Sequence, residues 1–129
     1  MTLEKIIQEL GLEILTDARD FDAIVPTSGY ASDMLSRVMA CAPHDGAIWV
    51  TLQSHGNIVA VGAVLGLSAI IITEGEVPDR ETVAKANEIG ITLLSTTRPT
   101  FEVVGRLWGI GVRCGDEAES LTGATHGNQ

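Results

Sequence analysis

Residues 48–72 decide the fold: Ile48-Trp49-Val50-Thr51-Leu52-Gln53-Ser54-His55-Gly56-Asn57-Ile58-Val59-Ala60-Val61-Gly62-Ala63-Val64-Leu65-Gly66-Leu67-Ser68-Ala69-Ile70-Ile71-Ile72. Two short apolar runs, Ile48–Val50 and Ala69–Ile72, flank a helix-period stretch from Asn57 to Leu65. A run that is apolar at every position suits a strand covered on both faces, which is the environment of a parallel sheet. The loop before the helix, Gln53-Ser54-His55-Gly56, is polar, and Gly66 follows its last turn, where a left-handed cap is expected. Gly62 is expected to let the helix approach the sheet closely. The apolar window Ile58–Ile72 is broken by Gly62, Gly66 and Ser68 and falls short of the ~20 residues that a membrane helix requires.

The same grammar of apolar run, polar loop and helical stretch extends outward in both directions. Thr2 is placed to cap a helix whose stripe is Leu3, Ile6, Ile7 and Leu10, with Gly11 as its stop. Leu12–Leu15 reads as a short strand, and Thr16–Asp22 as a charged connection with little to bury. Ala23-Ile24-Val25 reads as a strand leading through Pro26-Thr27-Ser28-Gly29 to a helix from Ser32 to Ala42. On the far side, Ala69–Ile72 leads through Thr73-Glu74-Gly75-Glu76 to a helix capped by Asp79 and ended by Gly90. Thr92–Leu94 leads through Ser95-Thr96-Thr97-Arg98 to a helix from Pro99 to Leu107. Repeated β-α units predict an α/β protein: a three-layer α/β/α domain with a largely parallel central sheet, spanning 1–114. Residues 115–129 are acidic and polar without apolar periodicity, and are expected to form a disordered tail.

A chain of 129 residues, 45% of them apolar, can bury a core of its own as one domain. Its formal charge of −9 excludes the continuous basic face that nucleic-acid and anionic-membrane binders need. Cys41 and Cys114 form no Cys-x-x-Cys pair and cannot supply the four thiolates of an ordinary iron–sulfur cluster, so both read as free thiols. Cys41 follows Met34, Leu35 and Val38 on one helix and reads as a buried, inert thiol. The first ten residues mix charge into the apolar pattern, unlike a signal peptide, which predicts a cytoplasmic protein. His44, His55 and His126 share no ligand spacing, so neither a metal nor a cofactor is expected.

In a parallel sheet, ligands bind at the carboxyl ends of the strands, beside helix N-termini. The loops read at that edge carry Thr27, Ser28, Gly29, Tyr30, Asp33, Gln53, His55, Asn57, Ser95 and Thr96 as candidate ligand-binding residues, with Thr51, Ser54, Thr73, Thr97 and Arg98 beside them. Their hydroxyl and amide groups suit a small phosphorylated or nucleotide ligand. The same residue types also cap helices and shape turns, and both readings stand. Thr27-Ser28-Gly29 is neither a Walker loop nor a dinucleotide fingerprint. Asp33 reads as a first-turn carboxylate complementing a helix dipole, and His55 as a cap or a ligand contact. An alternative is a phosphoryl- or acyl-transfer enzyme combining Asp33, His55 and the hydroxyl of Thr27 or Ser54; an electron-transfer accessory is another.

The segments Val25-Pro26-Thr27-Ser28-Gly29-Tyr30-Ala31-Ser32-Asp33-Met34-Leu35, Trp49–Val61, Ile70–Pro78 and Leu94-Ser95-Thr96, in this order, resemble the DRTGG domain family over about Thr2 to Arg113. The family's Thr-Gly-Gly stands here as Thr27-Ser28-Gly29. The resemblance implies a fold like the amino-terminal domain of HPr kinase, a homodimer, and a regulatory module without a catalytic centre. Family members lie between nucleotide-binding CBS domains of pyrophosphatases. Stand-alone copies accompany iron-only hydrogenase systems, which implies a hydrogenase-system protein as a partner.

Overall fold

The computed structural model describes residues 1–115, so the expected tail at 115–129 lies, apart from Gly115, outside the described residues. In chain order the elements are α1 (Leu3–Leu10), β1 (Glu13–Ile14), β2 (Ser28–Ala31), α2 (Leu35–Cys41), β3 (Ala47–Thr51), α3 (Asn57–Leu65), β4 (Ala69–Ile72), α4 (Arg80–Ile89), β5 (Leu93–Ser95) and α5 (Thr100–Gly109). The strands form one sheet in the order β1-β5-β4-β3-β2. β2, β3, β4 and β5 are parallel, and β1 pairs antiparallel with β5 through Glu13↔Ser95 and Ile14↔Leu94.

Alternation along β3 sorts the core. Trp49 and Ala47 face α2, α3 and α4, where Val38, Ile58, Val61, Leu65 and Ala86 pack. Ile48 and Val50 face α1 and α5, where Leu3, Ile6, Leu10, Val103 and Leu107 pack. The result is the expected three-layer α/β/α sandwich. α2, α3 and α4 share one face because β2 to β5 advance in a single direction and each parallel crossover is right-handed. β3, β4 and β5 are buried at every position, as their uninterrupted apolar runs require.

Local chemistry explains the element ends. Thr2 accepts the amide of Lys5, and Gly11 closes α1 with φ 63°. Gly66 closes α3 with φ 66°. A β-carbon on Gly62 would lie 3.1 Å from Ile70 Cδ1 and 3.3 Å from Ile91 Cγ2, so any side chain there would press on both, and glycine lets α3 lie close to the sheet without that crowding.

Three expectations are corrected. Ala23-Ile24-Val25 is not a strand: Ala23 ends a short 3₁₀ turn from Phe21, and the Ile24 carbonyl accepts the Leu3 amide at 2.8 Å, serving the open N-terminus of α1. The strand lies further on, at Ser28–Ala31, where Ser28, Gly29 and Tyr30 pair with Ala47, Ile48 and Trp49. The connection Thr16–Asp22 buries both Thr16 and Phe21; the Thr16 hydroxyl accepts the Leu93 amide at 3.1 Å, and Phe21 joins the core beside α1. Cys41 is exposed instead of buried, because Val38 is the residue of α2 that turns to the core.

Candidate functional site

The carboxyl edge of the sheet is built from the loops after β2, β3, β4 and β5. Asp33 lies in the first of these, ahead of α2 and not in its first turn. Its Oδ1 accepts the Thr51 hydroxyl at 2.8 Å and the Leu52 amide at 2.9 Å. Gln53 returns the link, donating from Nε2 to the Asp33 carbonyl at 3.0 Å, while its own amide donates to Thr51 Oγ1 at 3.1 Å. The Trp49 indole donates to the Ser32 carbonyl at 2.9 Å. These bonds tie the end of β2 to the end of β3. The helix-dipole role for Asp33 is therefore replaced by a brace: a carboxylate with two donors on one oxygen keeps a buried threonine satisfied.

His55 and Asn57 stand at the entrance of α3, where the Asn57 amide donates to His55 Nδ1 at 3.3 Å. Two adjoining depressions open around this loop. One, of ≈ 430 Å³, runs over Gln53, Ser54 and His55 to Glu76 and Asp79; the other, of ≈ 370 Å³, lies between His55 and Gly56 and the start of α4 at Asp79, Glu81, Thr82 and Lys85. His55 and Asp79 belong to both. Asp79 caps α4 by accepting the Thr82 amide at 2.8 Å. The Thr82 backbone and side chain hold its carboxyl below the usual range, with a smaller contribution from His55. Glu76, Asp79 and Glu81 outnumber Lys85 here, so the rim offers acceptors to donors of a ligand and opposes bare phosphate.

The neighbouring loop is committed to structure. Thr73 and Thr100 share a 2.6 Å hydroxyl contact, and Glu74 Oε2 accepts the Thr100 amide at 2.8 Å, capping α5 from outside. Thr96 Oγ1 accepts the Arg98 amide at 3.2 Å, and the Arg98 guanidinium pairs with Glu102 at 2.8 Å. Ser95 is the last residue of β5 and buried, so it is a strand residue instead of a loop residue.

The remaining candidates are elsewhere. Thr27 sits at the amino end of β2, its amide donating to the Gly46 carbonyl at 2.9 Å. β2 separates it from Asp33 by roughly 13 Å of strand at ~3.3 Å per residue, so the trio Thr27, Asp33 and His55 is not brought together. Ser28 is 2% exposed and its hydroxyl has no partner among the described residues. Gly29 donates its amide to the Arg113 carbonyl at 2.8 Å and, with Tyr30 and Ala31, lines a different cleft. That cleft, of ≈ 170 Å³, is walled by Val50, Val104, Leu107, Trp108 and Val112. Arg113 lies 4.0 Å over the Trp108 ring. The sequence reading missed this second concavity, although Val104 and Trp108, four residues apart on α5, both wall it. It also read Asp79 as a cap without seeing that its loop meets His55.

Among the described residues no group of three or more His, Cys, Asp or Glu could hold a metal ion, and no helix is long and apolar enough to cross a membrane. No family model matches the chain, and no curated protein does. Among solved structures, the fold is similar to one described as the CBS and DRTGG domains of the regulatory region of Clostridium perfringens pyrophosphatase, complexed with its activator diadenosine tetraphosphate. The match has a TM-score of 0.65 at 21% identity, covering 80% of this chain and 44% of that one, so this chain spans less than half the length of its structural relative. The resemblance to DRTGG domains read from the sequence therefore holds at the level of the fold, and this chain is an α/β/α domain built like part of that regulatory region.

Proposed function

We propose that the chain is a DRTGG-type regulatory module, homodimeric and non-catalytic, which senses a small nucleotide-like ligand over the His55–Asp79 rim. The observation that carries this reading is the state of Asp33. The Asp33 carboxylate, in the loop after β2, is spent on Thr51 and Leu52, and is not poised as a general base beside a nucleophile. The fold likeness to a regulatory region, itself solved with a dinucleotide activator, supports the same reading. The acidic rim narrows the ligand: Glu76, Asp79 and Glu81 favour ribose hydroxyls and base amino groups, with His55 beside them as donor or acceptor. The link to an iron-only hydrogenase system belongs to this reading as the kind of protein the module would report to.

A thermal-shift screen tests it. Nucleosides and nucleotides are expected to stabilise the protein, whereas inorganic phosphate and acetyl phosphate alone are not; a ligand at 100 times its Kd adds about 2.7 kcal/mol. His55→Ala should abolish the shift while lowering the unliganded melt slightly, since the Asn57 amide loses its 3.3 Å acceptor at the entrance of α3. Asp33→Ala should lower stability by about 1–3 kcal/mol, since it strips the Thr51 hydroxyl of its acceptor. A stable Asp33→Ala protein that has lost a turnover would replace this reading with the enzyme.

A further inference from the structure

We propose that the outer face of α5 is the subunit interface of an isologous dimer, in which a second copy of this chain lies antiparallel across the helix with the two-fold axis at Gly105. The proposal deepens the homodimeric part of the reading above and rests on it.

α5 has two apolar sides, and the fold uses one. Val103 and Leu107 are buried against the sheet, whereas Phe101 is 92% exposed, Trp108 53% and Val104 38%. At 3.6 residues per turn Phe101, Gly105 and Gly109 follow one another along the outward side, with Trp108 beside them. A β-carbon on Gly105 or Gly109 would meet nothing within 4 Å, so the two glycines form an open channel next to a fully presented phenylalanine. An antiparallel copy centred on Gly105 sets Phe101 of each chain opposite Gly109 of the other. A large side chain then meets a small position twice, which is the self-complementarity an isologous contact demands.

Charge points to the same occupant. The whole chain carries −9, and most of its surface would repel a second copy. α5 and its flanks are less acidic than the chain as a whole, with Arg98, Arg106 and Arg113 set against Glu102 and Glu74. Glu102 already holds Arg98 at 2.8 Å and Arg106 at 2.9 Å. In the antiparallel arrangement the flank bearing Glu102 and Arg106 meets the same flank of the second copy, so each carboxylate approaches the other chain's Arg106. The apolar cleft of ≈ 170 Å³ between β2, α5 and Val112 opens beside this face, with Trp108 on its wall, and the second copy would cover it.

The test uses the full chain in a Cys41→Ser, Cys114→Ser background, since both native thiols are exposed. Sedimentation should give a dimer for this protein and a monomer for Phe101→Glu, with a cooperative thermal melt retained and an unchanged ligand-induced shift. Position 105 faces itself across the proposed axis, so Gly105→Cys should form an intersubunit disulfide in most chains under mild oxidation. Val64→Cys, at an exposed site on α3, should stay uncrosslinked. A dimer that survives Phe101→Glu, or that crosslinks through Val64→Cys, overturns the α5 interface and leaves the homodimeric reading intact. A monomeric parent, including one whose α5 is covered only by a different protein, overturns both, while the ligand screen still decides the sensing role separately.

Discussion

Gly62 shows how a single position sets the distance between two layers. The methyl group of an alanine there must displace Ile70 and Ile91, which lie 3.1 and 3.3 Å from where it would sit. Overpacking of this kind costs about 1–3 kcal/mol, and better helix propensity returns roughly 0.5–1 kcal/mol. Gly62→Ala should therefore destabilise the protein by about 1 kcal/mol, read from urea midpoints; a stabilised variant would show that α3 has room to move away. Asp33 and His55 illustrate the limit of reading residues singly. Both were visible as candidates, but whether a carboxylate is a base or a brace depends on which donors reach it. Thr51 and Leu52, on a neighbouring strand, made that decision for Asp33.

Among elements, the helices were the most legible. The period of Leu3, Ile6, Ile7 and Leu10, the Asp79 cap and the glycines after α1, α3 and α4 all mark real boundaries. Two helices also carry a pH dependence. Thr82 holds Asp79 below its ordinary 3.8, and Arg106, then Arg98, hold Glu102 below its ordinary 4.5. Because both folded values are depressed, their contribution is present above the unfolded values and is lost as pH falls through the folded ones. The thermal midpoint should hold above pH ~5 and fall below it. The double variant Asp79→Asn, Glu102→Gln should flatten that acid limb while shifting the pH 7 midpoint little, since asparagine also caps helices. An acid limb identical to that of the parent would remove these two groups from the account. β2 was the least legible element. Ser28, Gly29, Tyr30 and Ala31 show no strand period, and they extend only because β3 offers them a ladder.

For the whole molecule, the strand order matters more than any strand. β2 to β5 advance in one direction, so the parallel strands contain no point where the order reverses and no crevice of the doubly wound kind. Among the described residues the concavities include the shallow rim at His55, a depression between α2 and α3 and the cleft against α5. The excess of acidic groups is also a property of the whole. Raising ionic strength from ~10 mM to ~150 mM shortens the screening length from about 30 Å to about 8 Å. With a net charge of −9, that change should raise the thermal midpoint. A lower midpoint would mean that attractive pairs such as Arg98–Glu102–Arg106 outweigh the overall repulsion.

Periodicity, caps and uninterrupted Ile and Val runs determined by themselves that this chain is a layered α/β domain with a mostly parallel sheet, because those signals act within a few residues of one another. Tertiary structure alone decided the rest. The apolar run Ala23–Val25 became a support for α1, and the polar run Ser28–Ala31 became a strand. Thr27 went to the far end of the sheet from Asp33, and Phe101 was left facing outward. Each of these outcomes depends on which partner arrives across the sheet, and hydrogen-bond donors or apolar faces that meet over long sequence distances leave no local pattern.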